Sequence, residues 1–305
     1  MHTPLCDLLG LEVPILCAPF GPWDQVELAL AVGRAGGLGQ LGATVRPLPQ
    51  LREQWGRVAA GGRPWAINHT TRPFDPDVFA ASLAARPTAI SFHMGDPGDL
   101  VERAHAAGCL WIQQVMDSDQ AECALDRGAD VLVAQGGEAG GHSGAISTLV
   151  LVPQVVDLAG DVPVVAAGGI ADGRGLAAAL ALGAQGAVLG TRLLASTEMA
   201  VADDWKRRIV AAGARDAIKS PAFDALLPPH NRPHWDVQPR ALRNDDPPAW
   251  DPPRLIAEVL AGGGHEVLAF AGQSAGLVHD VRPAGEIVAE TVEQAEVILG
   301  RLVPV

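Results

Sequence analysis

Residues 109–144 read CLWIQQVMDSDQAECALDRGADVLVAQGGEAGGHSG. Two apolar runs, Cys109 to Val115 and Val131 to Ala134, flank a segment from Ser118 to Arg127 with the spacing of a helix. Ser118 is placed to cap that helix and Gly128 to end it. Strand, helix and strand in this order make a βαβ unit, whose strands lie parallel. The second strand then enters ten residues, Gln135 to Gly144, that hold five glycines, one acid (Glu138) and one imidazole (His142). Glycine is costly in regular structure, so this density predicts backbone that turns tightly or comes close to a ligand.

The same unit repeats on both sides. Towards the N-terminus, strands are predicted at Val13–Ala18, Leu38–Leu41, Trp65–Asn68 and Thr88–Phe92. Helices follow them at Asp24–Ala35, Leu51–Ala60, Asp77–Ala85 and Asp99–Ala107. Beyond the glycine loop come a helix at Leu149–Leu158 with Pro153 in its first turn, a strand at Pro163–Ala167, a helix at Gly173–Leu182 and a strand at Ala187–Leu189. Repeated βα alternation implies a parallel sheet. Eight units at this spacing favour a closed (β/α)₈ TIM barrel over an open doubly wound sheet. Residues 1–200 would form the barrel. From about residue 200 the periodicity fails and prolines cluster, so 201–276 reads as a lid or second, smaller lobe. Residues 277–305 read as a C-terminal segment whose helix, Thr291–Leu302, packs back on the barrel.

Of the 305 residues 48% are hydrophobic and 19% charged, the composition of a globular chain. A net charge of −13 opposes nucleic acid or an anionic membrane as partner. MHTPLCDLLGLEVPIL at the N-terminus has no basic region ahead of its apolar residues, unlike a signal peptide. No apolar run nears the roughly 20 residues of a spanning helix. Four cysteines without a C-x-x-C pair fit free thiols in a reducing cytoplasm. There is no tyrosine, which excludes a phenolic acid from any mechanism.

Barrel sites are built at the carboxyl ends of the strands. There the sequence places Asn68 and His69, His93, then Gln135 and His142. After the seventh and eighth strands stand Gly168-Gly169 and Gly190-Thr191. Glycines at these last two positions suit a phosphate, held by backbone N–H groups with help from the Thr191 hydroxyl. Gly37, Gly39 and Gly42 spell G-x-G-x-x-G, but this run follows a helix and enters a strand, the reverse of a dinucleotide fingerprint. A metal centre of His69, His93 and His142, or a pair from His230 and His234, has little support, and no G-x-S-x-G elbow is present. No metal is expected.

QGGEAGGHSG resembles the signature of the FMN-dependent nitronate monooxygenases (2-nitropropane dioxygenases), which share a superfamily with FabK-type enoyl-ACP reductases. VPILCAPFGPWDQVELALAVGRAGGLGQLG (Val13–Gly42) is similar to the family's opening. VPVVAAGGIADGRGLAAALALGAQGAVLGTRLLAS (Val162–Ser196) is similar to its phosphate-binding half. PRALRN (Pro239–Asn244) and AGQSAGLV (Ala271–Val278) are also similar. The resemblance implies FMN in the barrel mouth, with Asn68, Gln135 and Gly140 on the isoalloxazine and ribityl portion. It implies Gly168, Gly169, Gly190 and Thr191 at the phosphate, and His142 as catalytic base acting on a nitroalkane or holding its nitronate. A side-chain imidazole titrates near neutrality, which suits either role. The implied partners are a small-molecule substrate and O₂, with a homodimer left open. The alternative is an NAD(P)H-dependent enoyl-thioester reductase. Phe20 and Trp23 in the first loop, with His69 and His93, depart from the family pattern and are expected to reshape the substrate pocket.

Overall fold

The computed structural model describes residues 1–70, 74–93, 95–220 and 237–302. Strands are β1 (Ile15–Cys17), β2 (Gly39–Gly42), β3 (Trp65–Thr70), β4 (Ala89–His93), β5 (Leu110–Val115), β6 (Val131–Gln135), β7 (Gly141–Ser143), β8 (Val164–Ala167), β9 (Gly186–Leu189), β10 (Ala217–Lys219) and β11 (Gln238–Leu242). Eight of them form one parallel sheet in the order β1-β9-β8-β6-β5-β4-β3-β2. Its ends meet. Cys17 N donates to Leu38 O and Leu38 N to Ile15 O, both at 2.9 Å, across a parallel bridge between Leu16 and Leu38. The fold is a (β/α)₈ TIM barrel.

Strand alternation sorts the apolar side chains into two cores. Leu16, Leu38, Ala66, Ala89, Ile112, Val133, Val165 and Val188 point inward and meet Leu5, Cys6 and Leu9 of the short helix Pro4–Leu9. That helix, which the sequence reading leaves out, plugs the barrel with its apolar face. Ile15, Cys17, Ile67, Ile90, Phe92 and Leu132 point outward into the larger core beneath the helices. One periodicity thus decides both packing and which residues can reach the mouth.

Several local expectations shift. Asp117, not Ser118, caps the helix Ser118–Asp126, its carboxylate accepting from Gln120 N at 2.8 Å. The helix Thr148–Ala159 starts one residue early, so Pro153 lies in its second turn. The last helix runs longer than expected, Ala284–Leu302, and packs against the helix Gly173–Ala181, where Gly173 N donates to Gln294 Oε1 at 3.2 Å. Gly39 and Gly42 lie in β2, and a Cβ on Gly42 would stand 2.4 Å from Gly21 Cα. Gly42 therefore lets the first loop lie directly on β2, while Gly39 makes room for the backbone of Ala29.

Residues past 200 contribute the helices Asp203–Ala211 and Pro252–Leu260 and two strands, β10 and β11, which pair with β7 in the order β10-β11-β7 and tie this segment to the glycine loop. His230 and His234 fall outside the described residues. Among the described residues no helix is long and apolar enough to cross a membrane. All four cysteines are free.

Candidate active site

A cavity of about 260 Å³ opens at the carboxyl ends of the barrel strands. Inward positions feed it strand by strand: Gln40, Asn68 and Thr70, Ser91 and His93, Gln114, Gln135, Ala167 and Val188. Carboxamides and hydroxyls on neighbouring strands bond one another. Asn68 Nδ2 donates to Ser91 Oγ at 2.9 Å, and Gln114 Nε2 to Gln135 Oε1 at 2.5 Å. Gln40 Nε2 donates to Cys17 O at 2.7 Å, which fixes the floor. Burial pushes the Cys17 thiol up to about 12, so it stays protonated near neutrality.

His69 is a correction. The residues on either side of it, Asn68 and Thr70, face the cavity, so His69 points the other way, into the helix layer. Its Nε2 lies 3.0 Å from Ser82 Oγ, and the rings of Phe74 and Phe79 meet it edge-on. Burial alone pulls its pKa down to about 4, so it is a neutral core imidazole. The alternation that sets it apart was present in the sequence. His93 and His142 do reach the cavity, as do Phe20 and Trp23. His69 being elsewhere divides the trio considered for a metal. Among the described residues no three His, Cys, Asp or Glu side chains are grouped to hold one.

His142 sits on β7, in register with Pro239 of β11. The loop leading to it is held by its carbonyls. Arg240 donates from Nε and Nη2 to Gly137 O at 3.2 and 2.8 Å and from Nη1 to Ala217 O at 2.6 Å. Burial lowers the pKa of this guanidinium, which still remains a cation at neutral pH. Lys219 Nζ donates to Ser143 O at 2.7 Å and also to Gly144 O. Glu138, the loop's one acid, turns away from chemistry. Its carboxylate accepts from Thr148 N at 2.9 Å and Thr148 Oγ1 at 2.9 Å, anchoring the loop to the start of a helix. Lys219, Arg240 and the Gln40 and Gln114 amides escape the sequence reading. Arg240 and Gln40 lie in the family-like stretches PRALRN and Val13–Gly42 and Gln114 in the apolar run WIQQV, but nothing local to Lys219 marks it.

Across the mouth, Gly168 and Gly169 have φ of +101° and +75°, a region that disfavours side chains. A Cβ on Gly168 would stand 3.0 Å from Gly136 O and 3.1 Å from Thr148 Oγ1. Among the described residues nothing accepts from the N–H groups of Gly168, Gly169 or Gly190. Thr191 Oγ1 accepts from Gly272 N at 2.8 Å, leaving its own hydrogen to donate. Gly140 lines the cavity with its Cα against Ala271 and Gly272. The arrangement offers a cradle of backbone donors beside a largely apolar, amide-edged chamber.

The nitronate monooxygenase family profile matches residues 68–294, most of the chain. The chain belongs to the nitronate monooxygenase family. This is a family of oxidoreductases. A nitronate monooxygenase of Metarhizium robertsii is 33% identical, over 95% of this chain and 92% of its own length. A 5-hydroxy-7a-methyl-1-oxo-octahydro-1H-indene-4-carboxyl-CoA dehydrogenase of Mycobacterium tuberculosis is 35% identical over 234 residues, which cover 75% of this chain. The chain spans 65% of that dehydrogenase's length. The solved structure of FabK from Thermotoga maritima is similar with a TM-score of 0.87 at 30% identity, covering 99% of this chain and 98% of that one.

Proposed function

We propose that this family member binds FMN in the barrel mouth and oxidises alkyl nitronates, or nitroalkanes, with O₂ to a carbonyl compound and nitrite. One observation carries the proposal. His142, Asn68, Gln135 and the Gly168–Gly169 cradle all line a single cavity. The cradle fits a phosphate: its N–H groups lack acceptors among the described residues, and a Cβ at Gly168 would crowd Gly136 O and Thr148 Oγ1 beside them. Gly168, Gly169, Gly190 and Thr191 would hold it without a lysine or arginine. Asn68, Gln135 and Gly140 would meet the ring edge and ribityl chain. Bound FMN supplies one-electron transfer between the nitronate and O₂.

The protein's own part is proton handling and orientation. His142 takes the proton from the carbon beside the nitro group, or pairs with the nitronate once it has gone. Its strand, fixed by β11 and the Lys219 and Arg240 bonds, holds the ring in place. Ala139, Val133 and Val188 give the surrounding wall an apolar face. Residues 201–276 are read as the lid of a barrel spanning 1–200, with the helix Ala284–Leu302 of the segment 277–305 packed back on that barrel.

A second reading is FMN-dependent reduction of an enoyl thioester by NAD(P)H. It is favoured by the whole-chain likeness to FabK and by a CoA-linked relative. Two mixings separate the readings. Purified protein with an alkyl nitronate in air is assayed for nitrite; with NADH or NADPH under anaerobic conditions it is watched for flavin bleaching. Nitrite without bleaching is expected, and His142→Ala is expected to lower nitrite release about 100-fold or more while retaining FMN. Rapid bleaching without nitrite favours the reductase, and a protein that takes up no FMN removes both.

A further inference from the structure

The cavity has a second wall that the proposed chemistry leaves without a role. Trp23, Trp205, Leu255, Ile256, Leu268 and Phe270 line it, and all are apolar in body. No Asp, Glu, Lys or Arg lines the cavity among the described residues. The wall is braced. Trp23 meets Trp205 edge-on at 5.0 Å and Phe270 at 6.0 Å, and its Nε1 donates to Gly263 O at 3.0 Å. Trp205 is fully buried and stacks on His265 at 6.1 Å.

Ile256 gives the wall its direction. Leu255 and Val259, on the same helix Pro252–Leu260, also line the cavity but are buried in the main core. Ile256 stays half-exposed, belongs to no core cluster, and faces the cavity. The helix's cation, Arg254, lies over the Trp250 ring at 4.8 Å and is exposed. A large aliphatic side chain facing an uncharged chamber stabilises an apolar occupant and gives a polar one no partner.

We propose that this wall is a hydrocarbon subsite and that the substrate carries an extended alkyl portion, held against Ile256, rather than being a small nitroalkane. The proposal rests on the reading that His142 and the glycine cradle hold the reacting end. Each methylene that enters such a wall is expected to improve binding about fourfold.

The test has two arms, both on the purified protein and on Ile256→Asn. In the first, kcat/KM for nitrite release is measured on unbranched nitronates from nitroethane to 1-nitrooctane. In the second, unreactive primary alcohols from butanol to decanol are titrated by tryptophan fluorescence, since Trp23 and Trp205 stand in the wall. Both arms are expected to rise about three- to fourfold per methylene until the subsite fills. Ile256→Asn is expected to lower the octyl-to-ethyl ratio about tenfold or more. A flat wild-type series in the alcohols overturns the subsite, as does a slope that survives in Ile256→Asn. Alcohols that show the slope without any nitrite release leave the subsite standing and remove the nitronate reading. If Ile256→Asn fails to fold, Ile256→Ala serves in its place, and the wild-type slopes still decide.

Discussion

Replacing Glu138 by alanine removes the clamp between the glycine loop and the helix Thr148–Ala159. The helix depends on it, because Ser147 at the N-cap makes no side-chain bond to the first turn. Glu138 acts as a remote cap instead, accepting from Thr148 N and Thr148 Oγ1 at 2.9 Å each. Hydrogen bonds to a charged group contribute about 1.5–3 kcal/mol. An anion at a helix N-terminus adds roughly 0.3–1 kcal/mol. Glu138 is half-buried, so solvent screens part of this, and about 2 kcal/mol is a fair expectation for the whole. At roughly 2–4 °C per kcal/mol, Tm should fall by about 4–8 °C by calorimetry. Glu138→Gln keeps one acceptor oxygen and should lose about half of that. Nitrite release should fall with Glu138→Ala and largely survive in Glu138→Gln, because the carboxylate positions the loop and does not exchange protons with substrate. A Tm for Glu138→Ala within about 1 °C of wild type would refute the clamp. Abolished turnover in Glu138→Gln at unchanged Tm would place Glu138 in the chemistry after all.

His69 gives the protein a pH dependence that has nothing to do with catalysis. Its pKa is about 4 folded against 6.5 for the free side chain, so the unfolded chain takes up a proton that the folded chain refuses. Stability therefore falls as pH drops from 6.5 to about 4, by roughly 1.4 kcal/mol per unit at most. Denaturant melts of wild type and His69→Gln over this window should differ in slope; parallel curves would refute the assignment. Gly168→Ala should weaken FMN binding about tenfold or more, since a side chain at φ +101° costs about 1–3 kcal/mol and also crowds Gly136 O and Thr148 Oγ1. Fluorescence titration of the FMN-free protein reads this directly, and an unchanged affinity would mean that the cradle holds something else.

Local pattern determined the barrel. Most βα units announce themselves by a short apolar run, a helical stretch and a glycine stop, and eight such units in sequence leave little choice of architecture. The same pattern brought Gly168, Gly169, Gly190 and Thr191 to the mouth, because residues after a parallel strand lie at its carboxyl end whatever the packing. Strand alternation could have set His69 apart from Asn68, since adjacent residues on a strand face opposite sides. What no local pattern could decide is which distant segments meet the glycine loop. Lys219 and Arg240 become ligands of its carbonyls only because β10 and β11 pair beside β7, joining Ser143 to Gln238 across a long stretch of chain. Glu138 likewise looks like a candidate acid until Thr148 is seen against it. A side chain's role in chemistry depends on its partners, and partners far apart in sequence are chosen by the packing of the whole chain.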